Sequence, residues 1–196
     1  MWDKRYAGED YFYGTQANDF LAAQADLLPP GPVLCLAEGE GRNAVFLAGL
    51  GHAVTAVDSS AEGRRKAERL ASTHGLSVDY RVADLAEFDP GEDHWAGVVS
   101  IFAHLPPPVR RPLHAKITRA LRPGGVLLLE AYTPEQLRHG TGGPPVAELT
   151  MSEQTLREEL AGLEILMLRE IEREVIEGHG HTGTGAVVQL VARRPD

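Results

Sequence analysis

Residues 33–44 read Val33-Leu34-Cys35-Leu36-Ala37-Glu38-Gly39-Glu40-Gly41-Arg42-Asn43-Ala44, and their reading decides the fold. A short apolar run at 33–36 has the character of a buried strand. A turn with two glycines follows, and a helical pattern over about 43–50 ends at Gly51. Glycine allows positive φ and lets a backbone approach a ligand without a Cβ in the way. A helix start supplies N–H groups that have no partner inside the helix. In open α/β sheets, ligands bind at such a strand-to-helix turn, beyond the carboxyl ends of the strands.

The flanking sequence continues the alternation. Residues 52–57 read as a second strand. Ser59 then opens a helix running to about 73, with Glu62 three residues on in a capping-box pattern. Residues 78–82 and 98–102 read as strands three and four. Pro106-Pro107-Pro108 leads into a helix ending near 121, and Arg122-Pro123-Gly124-Gly125 reads as a stop and turn before strand five at 126–131. Residues 140–145 form a loop. Thr150 and Glu153 repeat the capping pattern before a helix to about 160. Strands near 165–175 and 186–192 close the chain. Their connection, 177–185, is too short for a helical crossover, so they should pair antiparallel. The expected class is α/β: a doubly wound, mostly parallel seven-stranded sheet ending in an antiparallel hairpin.

Composition narrows the partners. The 196 residues fit one domain, 1–196, with residues 1–28 as an N-terminal flap and helix. Acidic residues outnumber basic ones 28 to 19, a formal charge of −9, which repels the phosphate backbone of nucleic acids. No apolar run approaches the roughly 20 residues that cross a bilayer. The acidic N-terminus lacks an apolar signal core, so a cytoplasmic location is expected. Cys35 is the only cysteine, which excludes an internal disulfide and a cysteine-rich metal site.

Asp58 ends strand two, 58 − 39 = 19 residues after Gly39. A carboxylate at that spacing suits the two hydroxyls of a ribose. Gly39-x-Gly41-x-x-Ala44 also fits the dinucleotide fingerprint, which keeps an NAD(P)-linked oxidoreductase as the alternative. Against it, Glu38 and Glu40 would set like charge beside a pyrophosphate, whereas they would tolerate a sulfonium or ammonium group. Little chain remains for a substrate domain, and the terminal hairpin is foreign to the simple dinucleotide fold.

Taken together, these segments resemble the class I S-adenosylmethionine (SAM)-dependent methyltransferases, and within them the small bacterial tellurite-resistance type. The resemblance covers nearly the whole chain: Trp2-Asp3-x-Arg5-Tyr6, Tyr11-x-Tyr13-Gly14, the 38–44 loop, Val57-Asp58-x-Ser60, Ala83-Asp84-Leu85, Leu121-Arg122-Pro123-Gly124-Gly125 and Glu177-Gly178-x-x-His181-x-Gly183. It implies a Rossmann-like methyltransferase fold, SAM as cofactor and a small-molecule methyl acceptor. Gly39 and Gly41 would face the methionyl part, with Glu38 beside it. Asp58, next to Ser59, would hold the ribose hydroxyls. Asp84 would accept from the adenine amino group, and the Leu85 backbone would read the ring. Phe102 or Ala103 would line the methionyl side, and Trp2, Tyr6 and Tyr13 would form a flap over the cofactor. Two positions depart from the family. Cys35 stands where an acidic residue is frequent, so Glu38 or Glu40 would have to meet the cofactor's amino group. Ala37 stands where glycine is frequent, a mild change if its φ is negative.

Methyl transfer from a sulfonium releases a neutral thioether, so alignment does most of the work. A base is needed only for an acceptor that holds its proton tightly. The candidates for acceptor handling are His104 as base, Glu130 and Tyr132 at the end of strand five, and Glu177, His179 and His181 in the last connection, as a cover over the acceptor. His179-x-His181 lacks a third ligand, so no metal is expected. A non-catalytic SAM-binding module is the third reading.

Overall fold

A computed structural model describes residues 1–196. Two short helices, α1 (Trp2–Tyr6) and α2 (Asp19–Gln24), open the chain. The second begins at Asn18, whose side-chain oxygen accepts from Leu21 N at 2.9 Å, an N-cap bond. The alternating core follows as β1 (Pro32–Leu36), α3 (Arg42–Gly49), β2 (Ala53–Asp58), α4 (Ala61–Thr73), β3 (Asp79–Val82) and β4 (Trp95–Ile101). Helix α5 (Pro107–Ala120), β5 (Leu121–Tyr132), α6 (Glu153–Glu159) and a long hairpin of β6 (Glu164–Glu177) and β7 (His181–Arg193) complete it.

The strands lie in the order β3-β2-β1-β4-β5-β7-β6. The first five pair in parallel. Strand β7 is antiparallel to both β5 and β6, so β6 points the same way as the first five. This is the seven-stranded sheet with a C-terminal antiparallel hairpin that the alternation implied. Central strands read as continuous apolar runs because helices cover both faces. Successive side chains of β1 alternate between them: Leu34 and Leu36 join Leu113, Ile117 and Leu156 on one side, while Val33 and Cys35 join Leu21, Ala44 and Leu47 on the other. Each such buried leucine contributes about 1.5–3 kcal/mol. Cys35 is fully enclosed, and burial pushes its thiol well above the usual range.

Four local features differ from the sequence expectation. Ser60, not Ser59, starts α4: its hydroxyl accepts from Gly63 N at 3.0 Å and donates to Asp3 at 2.6 Å. Ser152, not Thr150, starts α6, accepting from Thr155 N, while the Thr150 hydroxyl donates to Ala147 O. In each case the hydroxyl that reaches the third amide beyond it wins the cap. Arg122–Gly125 is a bulge within β5 and not a separating turn, since Leu121 pairs with Trp95 and Val126 with Gly97. Finally, the last connection is only residues 178–180, because β6 extends to Glu177 and β7 begins at His181.

The strand order reverses at β1. Chain leaving β1 and chain leaving β4 therefore diverge to opposite faces, and a crevice opens between their carboxyl ends. The parallel direction of β6 brings the 178–180 turn to that same edge.

Candidate active site

A cavity of about 570 Å³ occupies the crevice. Its walls include the carboxyl end of each central strand: Ala37–Glu40 after β1, Asp58 and Ser59 after β2, Asp84 and Leu85 beyond β3, and Phe102–Leu105 after β4. The flap adds Trp2, Tyr6 and Tyr13, and the hairpin turn adds His179–His181.

The glycine loop is held from several directions. Asp58 accepts from Gly39 N at 2.9 Å and from Ser60 N at 2.8 Å, and the Tyr80 hydroxyl donates to Gly39 O. Gly41 lies at φ +91° against Ala67, and any side chain there would collide with that residue. Ala37 lies at φ +50°, so the condition under which alanine would be a mild change is not met. The left-handed conformation costs a non-glycine residue roughly 1–2 kcal/mol. Phe102 is likewise at φ +53° where β4 ends. Backbone strain of this kind persists where the surroundings over-determine it, commonly at functional sites.

The two loop carboxylates have different tasks. Glu40 Oε1 lies 2.6 Å from Lys66 Nζ, and Oε2 accepts from Phe12 N at 2.7 Å. It ties the loop to the flap and to α4 and is fully engaged, which rules it out as partner for a cofactor amino group. Glu38 accepts from Ala44 N at 2.7 Å at the start of α3 and borders the cavity. Burial pushes its carboxyl up to about 7, against the hydrogen bonds from α3 and the charge of Arg42. Burial also raises Asp58, despite its two amide donors. A buried carboxylate short of compensation favours a cationic or hydrogen-bond-donating ligand.

At the other end the expected bases fare unequally. His104 borders the cavity, but Nδ1 stands 3.0 Å from Leu149 O and Nε2 accepts from Tyr132 N at 3.4 Å. Both nitrogens are occupied, and burial holds the imidazole down at about 4. His104 is thus a neutral wall residue and not the base. Tyr132 is fully enclosed behind Phe102, ring centroids 4.6 Å apart, and is absent from the cavity wall, which removes it from acceptor handling. Glu130 is also enclosed, accepting from Arg173, Gln189 and Asn18.

His181 is different. It borders the cavity, and its Nδ1 lies 2.9 Å from Glu177 Oε2. Glu177 does not cover the pocket. It lies beneath His181, accepting also from Arg42 at 2.7 Å and Asn18 at 2.8 Å. Burial opposes its charge, but the His181 hydrogen bond and the Arg42 charge outweigh that and hold the carboxyl at about 2. An ionised carboxylate only accepts, so Nδ1 donates the hydrogen of this bond and Nε2 is left outside it. The turn itself is pinned to the flap, with His179 N and Gly180 N donating to Phe12 O at 2.8 and 3.3 Å. Gly178 at φ +57° lies so close to the Phe12–Gly14 backbone that a side chain there would collide.

Several residues of the site escaped the sequence reading. Asn18 links four partners while wholly buried, and Arg42, Lys66 and the 142–145 wall complete the enclosure. Asn18 before Asp19 is a recognisable cap, but nothing local tells that its amide reaches residues 130 and 177.

A reversed-order α/β sheet with a ligand crevice of this form defines a Rossmann-like cofactor-binding protein. Residues 33–125 match a family described as a methyltransferase domain. Among curated protein sequences none matches. Among solved structures, one described by the conversion of a disulfide bond into a thioacetal group during echinomycin biosynthesis is 25% identical, with TM-score 0.79 over 99% of this chain and 90% of the other. TehB from Haemophilus influenzae is 20% identical, TM-score 0.75, over 98% of this chain and 65% of its own. The N-methyltransferase NodS from Bradyrhizobium japonicum, solved with S-adenosylhomocysteine, is 15% identical, TM-score 0.73, over 100% and 97%. Residues 33–125 thus match the methyltransferase-domain family, and the whole chain shares the fold of these solved structures.

Proposed function

We propose that residues 1–196 act as a single cytoplasmic domain, of the tellurite-resistance type, that methylates a small molecule, with residues 1–28 closing over the cofactor. The observation that carries this reading is the division of one cavity into two chemical ends. Glu38, Asp58 and Asp84 line it on the loops that follow β1, β2 and β3, while Leu149 and His181 line it on the side of the hairpin, with Phe102 after β4 between them. When bound, SAM supplies a methyl group on a positively charged sulfur. The acidic end suits its charge, its amino group and its ribose. Asp58, Ser59, Asp84 and the Leu85 backbone take the nucleoside, Gly39 and Phe102 the methionyl portion, and Glu38 the ammonium, while Gly41, packed against Ala67 and off the cavity wall, shapes the loop from behind. Tyr13, whose hydroxyl accepts from Arg5 at 3.2 Å, belongs to the covering flap.

The chain's own contribution is to orient and to exclude water. The flap and the hairpin turn meet above the cavity, so an acceptor enters between them and residues 142–149. The formal charge of −9 argues against nucleic acid as acceptor. No helix is long and apolar enough to cross a membrane. Titration calorimetry with SAM, S-adenosylhomocysteine and NADH tests the cofactor: binding of the first two and not the third is expected, and the reverse overturns the reading. Turnover of SAM with any small acceptor then separates an enzyme from a silent binding module.

A further inference from the structure

The acceptor end of the cavity has no carboxylate of its own. The acidic lining groups, Glu38, Glu40, Asp58 and Asp84, all sit on the loops that follow β1, β2 and β3. Around His181 the wall holds Phe102 at 4.7 Å and Tyr13 at 4.8 Å between ring centroids, with Gly142–Pro145 and Leu149 beyond, and the charged residues lining it nearby, Arg42 on Glu177 and Arg5 on the Tyr13 hydroxyl, are cations. The one carboxylate behind it, Glu177, is already shared by Arg42, Asn18 and His181, so a protonated amine would find no unpaired counter-charge there. A neutral or ionisable group on an apolar body would fit.

The second observation is the orientation of His181. Its Nδ1 is committed to Glu177, and Glu177 is itself fixed by Arg42 and Asn18. An imidazole anchored through Nδ1 to a buried carboxylate presents Nε2 as an acceptor and gains stabilisation when that nitrogen takes a proton. His104 cannot share the task, since both its nitrogens are used within the protein. This arrangement has no use in binding the cofactor, which lies at the other end.

Building on the methyltransferase reading, we propose that the acceptor is a phenol-like hydroxyl or a thiol on an apolar body, and that His181, positioned by Glu177, takes its proton. In the step, the acceptor oxygen or sulfur forms its bond to the methyl carbon as the sulfonium S–C bond breaks. The pair of electrons from that bond stays on sulfur as a neutral thioether. The proton passes to Nε2 and leaves an imidazolium against the Glu177 carboxylate. No oxidant or further reactant is needed.

The groups facing His181 are Glu177 on β6, Arg42 of α3 through Glu177, His104 after β4, Tyr132 on β5, and Tyr13 of the flap. The test uses the full chain with four probes in two matched pairs: thiophenol with benzyl mercaptan, and 4-nitrophenol with phenol. Within each pair the first is ionised near neutral pH and the second is not. Wild type should methylate at least one pair. His181→Asn should lose roughly 10²–10⁴-fold in kcat on the protonated member. On the ionised member it should lose little, because no proton remains to be taken. S-adenosylhomocysteine affinity, by calorimetry, should be unchanged. Glu177→Gln is the second variant: the ¹⁵N shifts of the His181 ring should report loss of the single Nδ1–H tautomer, and the pH–rate profile should move with them. An equal loss on both members of a pair, or none on either, overturns the proposal. So does methylation of none of the four while S-adenosylhomocysteine still binds. Failure of S-adenosylhomocysteine to bind wild type would instead overturn the underlying cofactor reading.

Discussion

Lys66 Nζ stands 2.6 Å from Glu40 Oε1, and neither side chain meets solvent to any useful extent. The pair joins α4 to the glycine loop, and the second Glu40 oxygen continues the link to the Phe12 amide of the flap. Lys66 also donates to Asp10 O at 2.6 Å. Loop and flap therefore share one buried charge pair. Removing one partner leaves the other uncompensated in an enclosed site, which typically costs 3–5 kcal/mol. Lys66→Met should lower the unfolding free energy from chemical denaturation by about that amount and speed amide exchange at Phe12 and Tyr13. A loss under about 1 kcal/mol would reduce the pair to a surface-like contact.

Ala37 offers the opposite kind of variant. At φ +50° it pays for a conformation that glycine adopts freely. Glycine gives back part of that gain through its greater freedom in the unfolded chain, about 0.5–1 kcal/mol. Ala37→Gly should thus stabilise by up to about 1 kcal/mol, read as a small rise in thermal midpoint. A clear destabilisation would mean that the methyl group packs better than its backbone angle costs.

These two cases mark what sequence could and could not reveal. Strand and helix succession was legible because central strands buried on both faces must be apolar throughout, and helices must keep one apolar face. The glycine loop and Asp58 were legible as neighbours at one strand edge because glycines and an aspartate at fixed spacing follow from local chain geometry. The acceptor end was not. His104 just beyond β4, Glu130 and Tyr132 at the end of β5, and His181 at the start of β7 all lie at the correct edge, and only their partners separate them. Leu149 and the Tyr132 amide silence His104, Phe102 covers Tyr132, and Arg173 with Asn18 consumes Glu130. Those partners are distant along the chain, so no local pattern announces them. The caps failed for a smaller reason: two hydroxyls lay near each helix start, and φ and ψ decided which one reached the amide.

Asp58 is expected to hold the ribose, and the structure gives it a second duty toward Gly39 N and Ser60 N. Replacement by alanine should therefore cost both affinity and stability, since a buried amide would lose its acceptor. Asp58→Asn keeps one oxygen for one of the two amides and turns a donating NH2 toward the other, so it costs less stability than alanine while still removing the charge. Its affinity for SAM should fall by roughly 1.5–3 kcal/mol, the range for hydrogen bonds to a charged group. Calorimetry on the folded variant decides it, and unchanged affinity would return Asp58 to a loop-fixing role alone.

Glu38 supplies a pH signature that needs no acceptor. Burial raises its carboxyl from 4.5 to about 7 in the folded protein. A group raised in this way contributes stability that is fully present below its unfolded value and is lost as pH rises through the folded one. The ligand-free protein should therefore lose on the order of 2–3 kcal/mol from this group between about pH 4.5 and 7. Glu159 and Glu177, both held at about 2, act in the opposite sense, losing stability only as pH falls below 4.5. His104, which burial holds down at about 4, gains stability as pH rises through much of the same window and offsets this loss, so Glu38 is read from the difference between wild type and a variant that cannot ionise there. Glu38→Gln, which cannot ionise, should exceed wild type in stability near pH 8 and lose that advantage near pH 5. Binding of a cation beside Glu38 should draw its carboxyl back toward the ordinary range, so SAM should release a proton on binding at about pH 6. Calorimetry in phosphate and in imidazole buffer, whose ionisation heats differ, measures that proton directly. A wild-type protein that releases no proton at pH 6 yet binds SAM tightly would place the ammonium away from Glu38. The same release from Glu38→Gln would assign the proton to another group.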